Sequence, residues 1–227
     1  MNIKHIASSS DGNAHLVDDL LLDCGVGMDE LRANVDITDL AGCLLSHRHS
    51  DHSMSTEKLL RAGVNVYASR GTFNALGLSH HRANIVESGQ NFHVGDWTVK
   101  AFDTVHDCEQ PLGFIFAKDN WKGLYLTDSA YSKYRFKGLT HILVECNYAY
   151  DIIMDNMSEG RIHPARKDRT IKNHMGLEDC KEFLRASDTS ELEEIHLLHL
   201  SDVNSDEKRF KREIEELVGV PVVVAAK

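Results

Sequence analysis

Ser46-His47-Arg48-His49-Ser50-Asp51-His52 is the stretch on which the reading of this 227-residue sequence turns. It follows directly on the apolar run 42–45, which reads as a buried strand. Alternation in an extended segment puts His47, His49 and Asp51 on one side, and a turn at the strand end brings His52 round to join them. Imidazole nitrogen and carboxylate oxygen suit zinc, and a carboxylate-rich pair of sites also holds manganese. A histidine-rich loop can be solvated surface. Four ligand-type residues within six positions at a strand end weigh against that.

Similar residues stand at other strand edges. His106 follows the β-like run 99–104, Asp128 follows 124–127, and His199 lies in the apolar run 195–200. Further strands are expected at 15–23 with a polar break, 64–68, 97–102, 113–116, 123–126, 141–145 and 221–224, from their length and β-branched content. Helices are expected at 28–33, 55–62, 72–76, 177–185 and 206–217; the last carries Phe210, Ile214 and Leu217 at helical spacing. Consecutive strands early and again in mid-chain do not fit a simple alternating βα wind. They fit an α/β (α+β) fold of two mixed sheets packed together with helices outside. No repeat, low-complexity tract or Pro/Gly-rich linker divides the chain, so residues 1–227 are read as one domain.

Composition narrows the function. A formal charge of −10 argues against a broad electrostatic grip on long nucleic acid, because such affinity comes from Lys and Arg neutralising phosphates. No apolar run approaches the roughly 20 residues of a bilayer span, so no membrane partner is expected. The N-terminus lacks the basic start and long apolar block of a secretory signal. Cys24, Cys43, Cys108, Cys146 and Cys180 are odd in number and never spaced C-x-x-C, which suits a reducing compartment; the cytoplasm is the expected location.

The H-x-H-x-D-H pattern of His47 to His52 resembles the hallmark of the metallo-β-lactamase superfamily, and the resemblance extends over nearly the whole chain. Leu20-Leu21-Leu22-Asp23-Cys24-Gly25 looks like its first motif, in which the Asp braces the metal loop. His106, Asp128 and His199 look like the third, fourth and fifth. The resemblance implies an αββα sandwich and two divalent metal ions, Zn2+ or Mn2+. By it, His47, His49 and His106 hold one ion, Asp51, His52 and His199 the other, and Asp128 bridges both. Two further segments, Val144-Glu145-Cys146-Asn147-Tyr148 and Asn173-His174-Met175-Gly176-Leu177-Glu178-Asp179-Cys180, resemble the phosphodiesterase arm that includes ribonuclease Z and the YycJ/WalJ-like exonucleases. His199-Leu200-Ser201-Asp202-Val203-Asn204 and Ser8-Ser9-Ser10-Asp11-Gly12-Asn13-Ala14 are similar to the ends of the YycJ-like group. The catalytic residues so implied are Asp51, His174 and Glu145, with Glu145 orienting His174 to protonate the leaving oxygen.

Physical chemistry supports phosphodiester cleavage independently of family. Two divalent ions a few ångström apart can lower the pKa of water toward neutrality and neutralise charge on a pentacoordinate phosphorus. The departing alkoxide still needs a proton, and a histidine hydrogen-bonded to a carboxylate can supply it. On spacing alone, Glu145 could equally end a strand and His174 cap the helix near Leu177. Residues 160–172 form the most basic stretch; Arg161, Arg166 and Arg169 are candidate contacts for substrate phosphate, against the alternative of a solvated charged face. The chain lacks a β-CASP domain and a protruding tRNA-binding arm, which makes nucleic acid ends, short oligonucleotides and cyclic nucleotides credible substrates. The competing functions are hydrolysis of a lactone, thioester or β-lactam, and a non-catalytic binding role. A homodimer stays open.

Overall fold

The computed structural model describes residues 1–225. Among them, thirteen strands fall into two mixed β-sheets, of six and seven strands, flanked by helices, the fold class expected from the sequence. By contacts the chain divides into two compact units, one of residues 1–103 and 108–121, the other of residues 104–107 and 122–225.

The first unit holds β1 (Ile3–Ser9), β2 (Gly12–Val17), β3 (Leu20–Leu22), α1 (Met28–Asn34), β4 (Gly42–Leu44), α2 (Ser50–Ser53), α3 (Thr56–Arg61), β5 (Val66–Ala68), α4 (Arg70–Leu76), β6 (Ala83–Ile85), β7 (Asn91–Val94), β8 (Trp97–Asp103) and β9 (Leu112–Lys118). Strands β1 to β3 pair antiparallel, and β3 to β6 continue parallel. The stretch 15–23, read as one interrupted strand, is divided at Asp18 and Asp19 into β2 and β3. Asp18 adopts φ 49°, a left-handed turn conformation that Asp tolerates. Leu21, Cys43, Leu45 and Val66 are buried together with Leu31 of α1, Leu59 of α3 and Phe73 of α4. Strands β7 to β9 form an antiparallel meander. Its Trp97 is fully buried, meets Phe116 edge to face, and donates its indole N–H to Asp19 Oδ1 at 2.7 Å. An indole donor buried this deeply requires such an acceptor.

The second unit holds β10 (Trp121–Leu126, in this unit from Lys122), β11 (His141–Glu145), α5 (Tyr150–Ser158), α6 (Pro164–Asn173), α7 (Leu177–Ala186), β12 (Glu194–Leu198), α8 (Glu207–Val218) and β13 (Val222–Val224). Its strands are parallel in the order β10, β11, β12, β13. Parallel strands covered on both faces read as unbroken apolar runs, and Leu124–Leu126 and Ile142–Val144 do, while Ile195–Leu198 is interrupted only by His196. Because the strands run the same way, the residues that follow β10, β11 and β12 emerge at one edge of the sheet, where ligands of open α/β sheets collect. The basic stretch is helical: most of it is α6, begun by Pro164 at its first turn with the His163 side chain accepting from the Ala165 N–H.

Candidate metal and catalytic clusters

Strand β4 ends at Leu44, and His47 to His49 form a loop that caps α2. The extended alternation expected through Asp51 is therefore not what groups these residues. Asp51 and His52 stand on the single turn of α2, and His49 is its N-cap. His47 Nε2 and His49 Nδ1 face each other at 3.0 Å, and the His47 and His52 rings lie 4.3 Å apart. Asp51 Oδ2 is 3.4 Å from His52 Nε2.

Asp23, fully buried, anchors this cluster. Its carboxylate accepts from the Ser46 N–H and hydroxyl, both at 2.7 Å, and lies 2.7 Å from His52 Nδ1. A carboxylate on Nδ1 fixes the imidazole tautomer and leaves the Nε2 lone pair for a metal. Asp23 itself has φ 56°. Gly25 follows because nothing larger fits: a Cβ there would lie 1.7 Å from the Asp51 carbonyl oxygen. Cys24 N–H donates to the His52 carbonyl at 2.8 Å, and Asn13 Nδ2 lies 3.3 Å from the Asp51 carbonyl and 3.2 Å from His52 Nε2. The first-motif loop and the histidine loop are thus in backbone contact.

In the second unit the site residues lie at or beyond the strand ends. Asp128 comes two residues after β10 and His199 one residue after β12, outside the strand that its apolar run predicts. Both are in left-handed backbone conformations, at φ 40° and φ 55°. Such conformations are uncommon for side-chain-bearing residues and gather at functional sites. His106 Nδ1 lies 3.0 Å from the Asn173 carbonyl, an arrangement that makes Nδ1 the donor and leaves Nε2 basic, 3.5 Å from Asp128 Oδ2. His199 Nδ1 is 3.1 Å from Asn147 Nδ2, 3.3 Å from Glu145 Oε1 and 3.8 Å from Asp128 Oδ1. Asn13, Ser46, Asn147 and Asn173 support the site residues, yet their own sequence context gives no separate signal for these roles.

Glu145, the last residue of β11, has no solvent exposure. Its Oε2 accepts the Ser129 and Met175 backbone N–H groups, each at 3.1 Å. Its Oε1 lies 2.6 Å from His174 Nδ1. Burial and the neighbouring Asp128 would raise the carboxyl, but the charge of His174 and the hydrogen bonds with His174 and His199 hold it below the usual glutamate range. Burial likewise opposes charge on His174, and the Glu145 and Asp128 carboxylates prevail, holding the imidazole above its ordinary value. His174 is the C-cap of α6 and keeps 21% of its side chain exposed, whereas Gly176 is the N-cap of α7. The alternative role as cap of the following helix is thereby excluded. Asp128, Glu145, His174 and His199 offer ligand-type atoms all within 4.8 Å of one another.

The three arginines differ in their surroundings. Arg161 is engaged by Asn156 and Glu159. Arg166 is exposed on α6. Arg169, 73% exposed, has Nε 4.0 Å from Asp107, the neighbour of His106. Donor chemistry in both clusters fits divalent metal ions: imidazoles oriented by oxygen acceptors, next to carboxylates.

Comparison with known proteins gives concordant results. Residues 19–199 match the model of the Beta-lactamase superfamily domain. The exodeoxyribonuclease YycJ of Bacillus anthracis is 28% identical over 242 aligned residues, covering 96% of this chain and 89% of that protein. The exodeoxyribonuclease WalJ of Streptococcus pneumoniae is 27% identical, covering 88% and 81%. Among solved structures, the metallo-β-lactamase fold protein YhfI of Bacillus subtilis superposes with a TM-score of 0.72 at 17% identity, covering 99% of this chain and 95% of that one. Zn2+-bound PqqB of Methylobacterium extorquens gives 0.73 at 13% identity, covering 100% and 98%.

Proposed function

This chain belongs to the beta-lactamase superfamily, as a metal-dependent hydrolase, and from that premise we propose that it cleaves phosphodiester bonds in nucleic acid, as an exonuclease on strand ends or short oligonucleotides. The observation that carries this reading is the 2.6 Å contact between His174 and the buried Glu145. Hydrolysis of a carbonyl substrate has less need of such a pair, whereas an unactivated alkoxide leaving group requires a proton.

In this reading His47, His49 and His106 would hold one divalent ion and Asp51, His52 and His199 a second, with Asp128 available to both. Bound there, zinc or manganese would supply Lewis acidity toward the phosphoryl group and a more acidic water. Asp23 and the Asn173 carbonyl keep His52 and His106 oriented. Asp51 acts from its place between the histidine loop and His52. Glu145, ionised and fixed by two backbone donors, stabilises the His174 imidazolium, which gives its proton to the departing oxygen. Arg161, Arg166 and Arg169 are the proposed phosphate contacts, with Arg169 foremost because it is exposed beside the His106 segment. The family match runs through residues of both units, which supports treating them as one functional domain. The odd number and scattered spacing of the five cysteines accord with a reducing, cytoplasmic setting.

The decisive experiment compares wild type with His174→Ala on single-stranded DNA and on bis(p-nitrophenyl) phosphate, with zinc or manganese. Turnover of DNA should fall by roughly two to four orders of magnitude, the usual worth of a general acid, with metal content unchanged. The p-nitrophenolate leaving group needs little protonation, so its release should fall far less. Equal losses on both substrates, or none on DNA, would refute the proton-donor role.

A further inference from the structure

A second feature of the second unit has no part in the chemistry described so far. The connection after Asp128 reads Tyr131-Ser132-Lys133-Tyr134-Arg135, two aromatic and two basic residues within five positions. It borders a cavity of about 570 Å³ that is also lined by Asp179 and Glu182 of α7. Clefts of this size accommodate small ligands of nucleotide dimensions. Tyr131 is 52% exposed, so its ring is open to a ligand entering the cavity that it lines. The loop is shaped locally: Ser129 Oγ donates to the Tyr131 carbonyl at 2.7 Å, and Ser132 Oγ accepts the Tyr134 N–H at 3.2 Å. Lys133 Nζ lies 5.9 Å from the centre of the Tyr134 ring.

We propose that this cavity is a nucleotide subsite, in which Tyr131 and Tyr134 stack on a base of a single strand while Lys133 and Arg135 meet its phosphates. The proposal rests on the nuclease reading for its substrate class. Charge distribution in the cavity matches both ends of a nucleotide. Cations stand on the loop side, where a phosphodiester backbone needs them, and carboxylates on the α7 side, where exocyclic amino groups of bases find acceptors. Burial, reinforced by Glu178 and Glu182, raises the Asp179 carboxyl, so a hydrogen-bond donor entering there would be welcome. The cavity also adjoins the proposed catalytic residues through the chain itself. Its lining includes Tyr148, three residues after Glu145, and Ile171, three before His174. An acidic protein thereby gains a grip on a strand by stacking, without the broad basic surface that its composition denies it.

The test is fluorescence anisotropy of a 5′-labelled single-stranded DNA decamer with metal-loaded protein in a His174→Ala background, where the strand stays intact. Base–aromatic stacking is worth about 1–3 kcal/mol per base, so Tyr131→Ala and Tyr134→Ala should each weaken binding at least about fivefold. Tyr131→Phe and Tyr134→Phe should restore it, which separates stacking from misfolding. A decamer with one abasic position should, at one place in the strand, lose as much affinity as the alanine variants, and those variants should lose nothing more against it. Alanine variants that bind within about twofold of the parent, or an abasic scan without effect at any position, would overturn the subsite. If wild type cuts no DNA yet the tyrosine-dependent binding persists, the nuclease reading fails and the subsite stands.

Discussion

In the first unit His47, His49, Asp51 and His52 stand within six consecutive positions, while the second gathers His106, Asp128, His174 and His199 from four separate connections and Glu145 from the end of β11. The first cluster is organised from below by one buried carboxylate, Asp23, and by a backbone-to-backbone approach at Gly25. The second is organised by strand direction: parallel β10, β11 and β12 end together, with Glu145 at the last ladder position of β11 and Asp128 and His199 just beyond β10 and β12. A local cluster tolerates little change in its few neighbours. A distributed one depends on the integrity of the sheet and on hydrogen bonds between connections.

The contrast can be broken hardest at Gly25. Gly25→Ala places a methyl group 1.7 Å from the Asp51 carbonyl oxygen, and backbone cannot yield as a side-chain tip would. Metal content should drop and hydrolysis should fall by several orders of magnitude, read by plasma emission spectrometry alongside turnover. In the second unit Glu145→Ala should be the counterpart. Removing the carboxylate from a buried pair costs about 3–5 kcal/mol, visible in urea denaturation. Here the protein should lose stability before it loses metal, the reverse of Gly25→Ala. Asp23→Asn sharpens the comparison more gently. It should weaken metal binding roughly 10- to 100-fold, measured by chelator competition, with little change in the melting temperature.

The smallest effect tests the sheet beneath the second cluster. His196 on β12 is buried, and desolvation, helped by His141, pushes its pKa to about 4, although its Nε2 lies 3.0 Å from the more exposed Glu194. A neutral ring can donate to that carboxylate. Since the folded value lies below the unfolded one near 6.5, the unfolded chain binds the proton first, and stability falls as pH drops from about 6.5 toward 4. Between pH 7.5 and 5.5 His196 should account for about 1 kcal/mol of that loss. His196→Leu should flatten this part of the profile in urea titrations.

How much of this could be read from the sequence follows the same division. The H-x-H-x-D-H stretch announces itself because its ligands are neighbours, and the parallel strands do so because covered strands are continuous apolar runs. Less was visible where tertiary contacts decide local form. Strand β6 consists of three partly buried or exposed residues with little apolar signal. Helix α6 is so polar that its residues read as a charge run, and its capping by His163 is evident only in three dimensions. Alternation predicts extended chain through Asp51 with a turn at His52, whereas both stand on the single turn of α2. Asn147 and Asn173 hold site histidines through contacts spanning dozens of positions, which no spacing rule detects.

The left-handed backbones of Asp23, Asp128 and His199 carry one more implication. Glycine would relax each of these torsions while deleting the group that makes the position useful. Laboratory evolution for heat tolerance alone should therefore enrich glycine at Asp128 and His199, whereas at Asp23 the loss of the buried acceptor for Ser46 and His52 would outweigh the relaxed torsion. Selection that demands turnover as well should find those doors closed and seek its gains elsewhere in the chain.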